Sequence, residues 1–184
     1  MRIAVDLGHG IGNDRGITGF IKEETIINEV GRILINKLKE CGHKVIEVRP
    51  RFGIISLLQS LNHRTVTSNN NDAYLFLSIH GNKGVLRGVE VYTNEGKEVE
   101  EAVNILENLE EIGFKNRGIK DGSNFYVIKY SVAEAILIKL CFVDNKEDIE
   151  LYNKLGPHKV AQAIVNAIEC KNANGEKKVM EIDI

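Results

Sequence analysis

No stretch of this 184-residue chain approaches the roughly 18 consecutive apolar residues that a membrane-spanning helix needs. Cysteine is scarce: Cys41, Cys141 and Cys170 are scattered, odd in number and form no C-x-x-C pair. That pattern argues against a disulfide framework and against a structural zinc knuckle, and it suits a reducing cytoplasm. Charge of one sign is also lacking, since 24 Lys and Arg stand against 26 Asp and Glu, for a formal net charge of −2. No electrostatic footprint for nucleic acid results, and no basic stripe suggests an anionic membrane. The N-terminal MRIAVDLGHG is too short in its apolar part, interrupted by Asp6, to be a signal peptide, and no small-residue cleavage site follows. The expectation is synthesis in the cytoplasm without an export address, so that action elsewhere requires release by another agent.

What is present is a regular alternation of segments. With 43% hydrophobic and 27% charged residues, the chain is long enough for one domain with its own core. RIAVDL (2–7), HKVIEV (43–48), AYLFLSIH (73–80), GVEVYT (88–93), FYVI (125–128) and AILIKLCFV (135–143) read as strands. Between them, 23–41 reads as a helix with Ile27, Val30, Leu34, Leu38 and Cys41 on one stripe and Gly42 as the cap. Residues 54–70 suggest a second helix, with Ile54, Leu57, Leu58 and Leu61 inward, and 95–112 a third, with Val99, Val103, Leu106 and Leu109 inward. Two helices close the domain, near 146–155 and 157–170, the second with Pro157 in its first turn. This order implies an α/β domain around a mostly parallel sheet covered on both faces. Residues 1–170 form the expected domain. KNANGEKKVMEIDI (171–184) reads as a linker-like tail that leads toward a further module. Nothing in the sequence marks an oligomeric state.

Sites in open α/β sheets gather at the carboxyl ends of the strands. The first strand ends in Gly8-His9-Gly10. A dinucleotide fingerprint fails there, because the sixth position, counting Gly8 as the first, is Asn13 and no helix opens until about residue 22. A second imidazole, His80, ends the strand at 73–80 and is followed by Gly81 and Asn82. Two imidazoles and one carboxylate make an open zinc site, with three protein ligands and a water. Glu23 and Glu24 both open the first helix. Glu23 continues the buried stripe and Glu24 points about 100° away, so Glu23 is the expected third ligand and Glu24 the alternative. Asp6, inside the first strand, is placed to orient a ligand. Glu90 lies in a strand near the site edge and can face either way. Arg117 reads either as an arginine for a carboxylate substrate or as a surface loop residue. His43, His63 and His158 read as structural or solvated.

AILIKLCFV poses a separate problem, because Lys139 stands in the middle of an otherwise apolar run. A lysine there must reach water at the strand end, pair with an acid, or belong to a site.

VDLGHG near the start, an acid opening the first helix, LSIHGN (77–82), GVEVY (88–92), NRGIK (116–120) and AILIKLCFVDNKED (135–148) occur in this order. Together they resemble the zinc-dependent N-acetylmuramoyl-L-alanine amidases, amidase type 3, over about residues 1–170. The resemblance implies a twisted, mostly parallel sheet of about six strands with helices on both faces. It implies Zn2+ held by His9, Glu23 and His80. Asn82, two residues after His80, and Arg117 are the expected substrate-binding positions. The implied activity is cleavage of the peptidoglycan amide between the lactyl group of muramic acid and L-alanine. Many such proteins are phage endolysins that act on the wall after holin-type release or lysis; host autolysins and sporulation enzymes also belong here. In the family motif L-[IV]-E-x-x-F-[IV]-x-N, Lys139 takes the place of the catalytic glutamate. The resemblance therefore implies a weakened or silenced amidase, or alternatively an inactive muropeptide-binding domain of the same fold.

Overall fold

The computed structural model describes residues 1–53, 56–169, 171 and 173–176. The expectation for Ile54 and for most of the tail lies outside these residues. Six strands form one sheet: β1 (Arg2–Leu7), β2 (Lys44–Glu47), β3 (Leu75–Asn82), β4 (Val89–Thr93), β5 (Asn116–Asp121) and β6 (Glu134–Phe142). Their spatial order is β2-β1-β3-β6-β4-β5. Strands β2, β1, β3 and β6 run parallel, whereas β4 is antiparallel to β6 and carries β5 with it. The α/β sheet expected from the sequence is therefore present as a mixed sheet with one reversed pair at its edge.

Strand alternation decides which helices cover which face. Ile3, Val5 and Leu7 of β1, Leu75, Leu77 and Ile79 of β3, and Ile136, Ile138 and Leu140 of β6 face one large core. The helices α1 (Glu23–Glu40), α3 (Glu100–Glu111) and α5 (Lys146–Ile168) supply its other half. On α1, Ile27, Val30, Leu34 and Leu38 are fully buried, as their three-and-four spacing requires. Cys41 departs from the expected stripe: it forms the helix cap and is exposed. On α3, Leu106 and Leu109 are buried as expected, but Ala102 and Ile105 are the fully enclosed residues in place of Val99 and Val103. The closing helix breaks at Gly156 (φ 72, ψ 159), just before Pro157, which yields the two expected segments.

The opposite face is thinner and more polar. Ala4, Phe76, Ala135 and Leu137 make a small cluster there with Val127 and Ile128. Two elements cover it: α2 (Leu57–Asn70) and the single-turn α4 (Tyr126–Lys129). Both correct the sequence reading. FYVI is a helical turn, because Phe125 closes a turn onto the Gly122 carbonyl and four residues are too few for periodicity to separate helix from strand. On α2, Leu57 and Leu58 are exposed, and the buried side is Ser60, Arg64, Thr65 and Ser68. A polar sheet face selects a polar helix face. NRGIK, which the sequence reading assigns to no element, is the edge strand β5. Its polar composition is that of an edge strand, and pairing with β4 supplies the order that its sequence does not advertise. Among the described residues no helix is long and apolar enough to cross a membrane.

Candidate metal centre and its cavity

At the carboxyl ends of β1, β3 and β6 the sheet opens into a cavity of about 510 Å³, lined among others by His9, Glu23, His80, Asn82, Phe125 and Lys139. His9 leaves β1 with a left-handed backbone (φ 54), which is uncommon for a residue with a side chain and clusters at functional sites. Its neighbour Gly8 is required by space: a Cβ there would lie 2.3 Å from the His80 ring. The two imidazoles meet edge to face, with centroids 4.8 Å apart and planes at 86°.

Glu23 rises between them from the first turn of α1 and is 2% exposed. Its Oε1 lies 3.4 Å from His9 Nε2 and 3.2 Å from His80 Nδ1. The backbone N–H groups of Gly81 and Ile17 donate to its two oxygens, each at 2.9 Å, and fix the carboxylate in place. Potential ligand atoms of His9, Glu23 and His80 all lie within 4.8 Å of one another. Glu24 stays outside this group; it accepts from the Gly16 N–H and lies 3.6 Å from Arg15. Two nitrogens and one carboxylate at this separation form a donor set able to hold a metal ion.

The electrostatics have the same sense. Burial pushes the Glu23 carboxyl up, but hydrogen bonds from His80, His9 and the Ile17 amide hold it well below the usual carboxylate range. Burial alone would lower the His9 pKa, yet the bonds and negative charge of Asp14 and Glu23 raise it to about 9. The cluster therefore favours a positive charge between its carboxylates. A metal ion meets that demand as a proton does.

A buried network supports the centre from behind. His9 Nδ1 lies 2.8 Å from Asp14 Oδ1, which leaves Nε2 facing Glu23. Asp14 also accepts from Ser60 Oγ at 2.8 Å. Burial raises its carboxyl, but His9, Ser60 and Arg64 bring it down to about 2. Arg64, 1% exposed, bonds to Asp6 and donates to the carbonyls of Leu7 at 2.8 Å and His9 at 3.1 Å. Ser78 donates to the remaining oxygen of Asp6 at 2.7 Å. Asp6 thus acts on the strand exit through Arg64. The sequence reading missed Arg64 and Asp14. The available signal was Asp6 itself, an acid inside a buried strand that needs a cation, with Arg64 on the inner side of α2.

A second polar group lies beside the cavity, next to the lining residues Asn82 and Lys139. Glu90, 5% exposed, accepts from Asn82 Nδ2 and Tyr92 OH, both at 2.8 Å, and from Arg117 Nε at 2.9 Å. Burial raises the Glu90 carboxyl, but Arg117 and Tyr92 hold it below its ordinary value. Burial and donation to Glu90 raise the Tyr92 phenol to about 12. Arg117 reaches Glu90 because β5 carries an extra residue against β4, with Gly118 at φ 80. Its guanidinium is bound to Glu90 and stacked over Phe142, 5.8 Å from the centroid. Lys139 points into the cavity, with Nζ 3.5 Å from Asn82 Oδ1 and 5.3 Å and 5.7 Å from the ring centroids of Tyr92 and Phe125.

The chain is similar over more than nine-tenths of its length to several known proteins. It is 34% identical over 179 residues to an uncharacterized protein of Clostridium perfringens (strain 13 / Type A), covering 93% of this chain and 52% of that one. The chain thus spans about half the length of this relative. It is 29% identical over 194 residues to the sporulation-specific N-acetylmuramoyl-L-alanine amidase of Bacillus subtilis (strain 168), covering 99% of this chain and 69% of the relative. Among solved structures, the catalytic domain of an endolysin targeting Clostridia difficile superimposes with a TM-score of 0.85 at 29% identity, covering 94% of this chain and 98% of that one. The model of one family spans residues 3–170, from β1 to the end of the closing helix, and with it both histidine-bearing strand ends and the acid between them: the chain belongs to the amidase type 3 family, N-acetylmuramoyl-L-alanine amidase.

Proposed function

We propose that this domain binds a zinc ion through His9, Glu23 and His80 and acts in the bacterial wall on the peptidoglycan amide between N-acetylmuramic acid and L-alanine, with Lys139 holding its activity low. The observation that carries this reading is the convergence of these three residues to within 4.8 Å at the floor of a cavity, in a chain of this family.

A zinc ion held there would polarise an acyl oxygen and bring the pKa of a bound water to about 7. The chain's own residues prepare that site. The Gly81 and Ile17 amides keep Glu23 fixed, and Asp14 orients His9 so that Nε2 faces the centre. Fixed ligands lose little further freedom on binding, which favours affinity. Hydrolysis of an amide also requires a group that takes a proton from water and passes it to the departing amine. Lys139 lines the same cavity and takes the motif position of the glutamate that such amidases use for this, and an ammonium offers three donors and no acceptor. Glu90 cannot replace it, because its oxygens already accept from Asn82, Tyr92 and Arg117 and it is a weak base.

The test is zinc-loaded wild type and Lys139→Glu incubated with purified cell walls, counting newly exposed alanine amino groups. The expected result is little release by wild type and a gain of about 10²–10⁴ in the variant, the usual worth of a general acid–base group. Absence of release by both proteins overturns the amidase reading. The same lysine favours a second reading, a domain that grips wall fragments without cutting them, and under it the variant gains no activity.

A further inference from the structure

Lys139 is a half-buried cation of the cavity whose charge no described residue answers; the other lysine of the lining, Lys83, is exposed and donates to the Thr18 carbonyl at 3.4 Å. Among the described residues its ammonium has no carboxylate partner, and its hydrogen-bond acceptor is Asn82 Oδ1 at 3.5 Å. Tyr92 and Phe125 hold it from the sides as aromatic faces. Its side chain is half-buried, on a strand that is otherwise almost wholly enclosed. Glu90 stands directly opposite in the antiparallel register, but that carboxylate is taken up by Arg117, with Lys120 a further 4.0 Å contact. One acid thus stands among three cations, and only Lys139 of the three lines the cavity. A partly desolvated ammonium with one distant neutral acceptor gains most from an anion brought by a ligand.

The proposed function, on which this inference rests, identifies which anion can be there. Hydrolysis of the muramoyl–alanine amide breaks the C–N bond and leaves a carboxylate on the lactyl carbon and an ammonium on alanine. The intact substrate presents only a neutral carbonyl at that carbon. An ammonium in the cavity attracts the first product, repels the second and gains little from the substrate. Leu57, Leu61 and Leu137 supply an apolar wall of the same cavity, suited to a lactyl methyl group.

We propose that this cavity is a carboxylate receptor in which Lys139 pairs with the free lactyl carboxylate of N-acetylmuramic acid, so that the domain binds glycan from which the stem peptide has been removed. An amidase reaction must then precede binding, since it is the class of reaction that creates this carboxylate from the intact wall.

The test is isothermal titration of the zinc-loaded protein with three probes. N-acetylmuramic acid carries the free lactyl carboxylate. N-acetylmuramoyl-L-alanyl-D-isoglutamine carries a carboxylate only on its peptide, and N-acetylglucosamine carries none. Wild type is expected to bind N-acetylmuramic acid at least about tenfold tighter than either of the others. Lys139→Met and Lys139→Gln are each expected to weaken that binding about tenfold to a hundredfold while keeping their zinc, the range spanned by a charge-assisted hydrogen bond. Unchanged affinity in both variants overturns the proposal, as does equal affinity for N-acetylglucosamine. Tighter binding of the peptide-bearing probe overturns the lactyl assignment and moves the carboxylate to the stem peptide. The two readings fail separately: a Lys139→Glu variant that cuts walls, beside a wild type that ignores N-acetylmuramic acid, removes only the receptor. A Lys139-dependent receptor whose glutamate variant cuts nothing removes only the amidase.

Discussion

Glu90 and Lys139 are register partners across the antiparallel pair β4–β6, yet the carboxylate bonds to Asn82, Tyr92 and Arg117 and leaves the ammonium to the cavity. A cross-strand pair of opposite charge ordinarily satisfies itself. Here the bulge at Arg117–Gly118 brings a guanidinium to Glu90 first.

Glu90→Gln is expected to lower stability at neutral pH by about 1–3 kcal/mol, because a charged acceptor of three hydrogen bonds is lost and Arg117 is left with a neutral partner. The sign of the pH dependence follows from the depressed carboxyl. A carboxylate whose pKa falls on folding contributes stability above its unfolded value of 4.5 and loses that contribution as pH falls below it. Urea titrations at pH 7 and pH 4 should show a smaller difference in the variant than in wild type.

Zinc binding should depend on His9 and His80 and not on Glu24. Metal analysis after dialysis is expected to give about one zinc per chain for wild type and Glu24→Gln, and well below that for His9→Ala and His80→Ala. Retention of zinc by both histidine variants would show that the ion sits elsewhere.

Asp14 and Arg64 should matter to the metal without touching it. Asp14→Asn is expected to weaken zinc about 10- to 100-fold in competition with a chromophoric chelator, the usual effect of removing the partner that orients a histidine ligand. In metal-free protein the same substitution should flatten the acid limb between pH 3.8 and about 2, since a carboxyl depressed to about 2 contributes stability above 3.8 and loses it on the way down. Arg64→Met leaves Asp6 and Asp14 buried without their cation, and a loss of about 3–5 kcal/mol is expected in chemical denaturation.

Gly8→Ala separates packing of the site from packing of the fold. The new methyl would meet the His80 ring, and the ring yields more readily than the β1 backbone. The expected result is a folded protein by circular dichroism with zinc affinity reduced at least as far as in Asp14→Asn.

Much of this architecture is readable in the chain. The apolar runs at 2–7, 73–80 and 135–143 lie in the central strands β1, β3 and β6, because strands enclosed on both faces are apolar at nearly every position. The stripe on α1 shows equally clearly, and so does the buried position of Glu23 at its top. Apart from single positions on the other face, Cys41 at the end of α1 and Val99 and Val103 on α3, the misreadings fall on the thin side and at the edge of the sheet. There α2 buries Ser60 and Arg64 while exposing Leu57 and Leu58, so hydrophobic spacing points to the wrong face. FYVI and NRGIK are too short or too polar to show a period at all.

By itself, then, the sequence determined the α/β order, the strand ends that carry His9 and His80, and the presence of a lysine in a buried strand, because apolar periodicity and residue type are local properties. Only the tertiary structure decided that Glu23 and not Glu24 stands between the imidazoles, that Arg64 joins Asp6 to Asp14, and that Glu90 pairs with Arg117 in place of Lys139. The partner of a buried charge comes from whichever segment the fold brings within about 3 Å of it, and spacing along one segment carries no record of that.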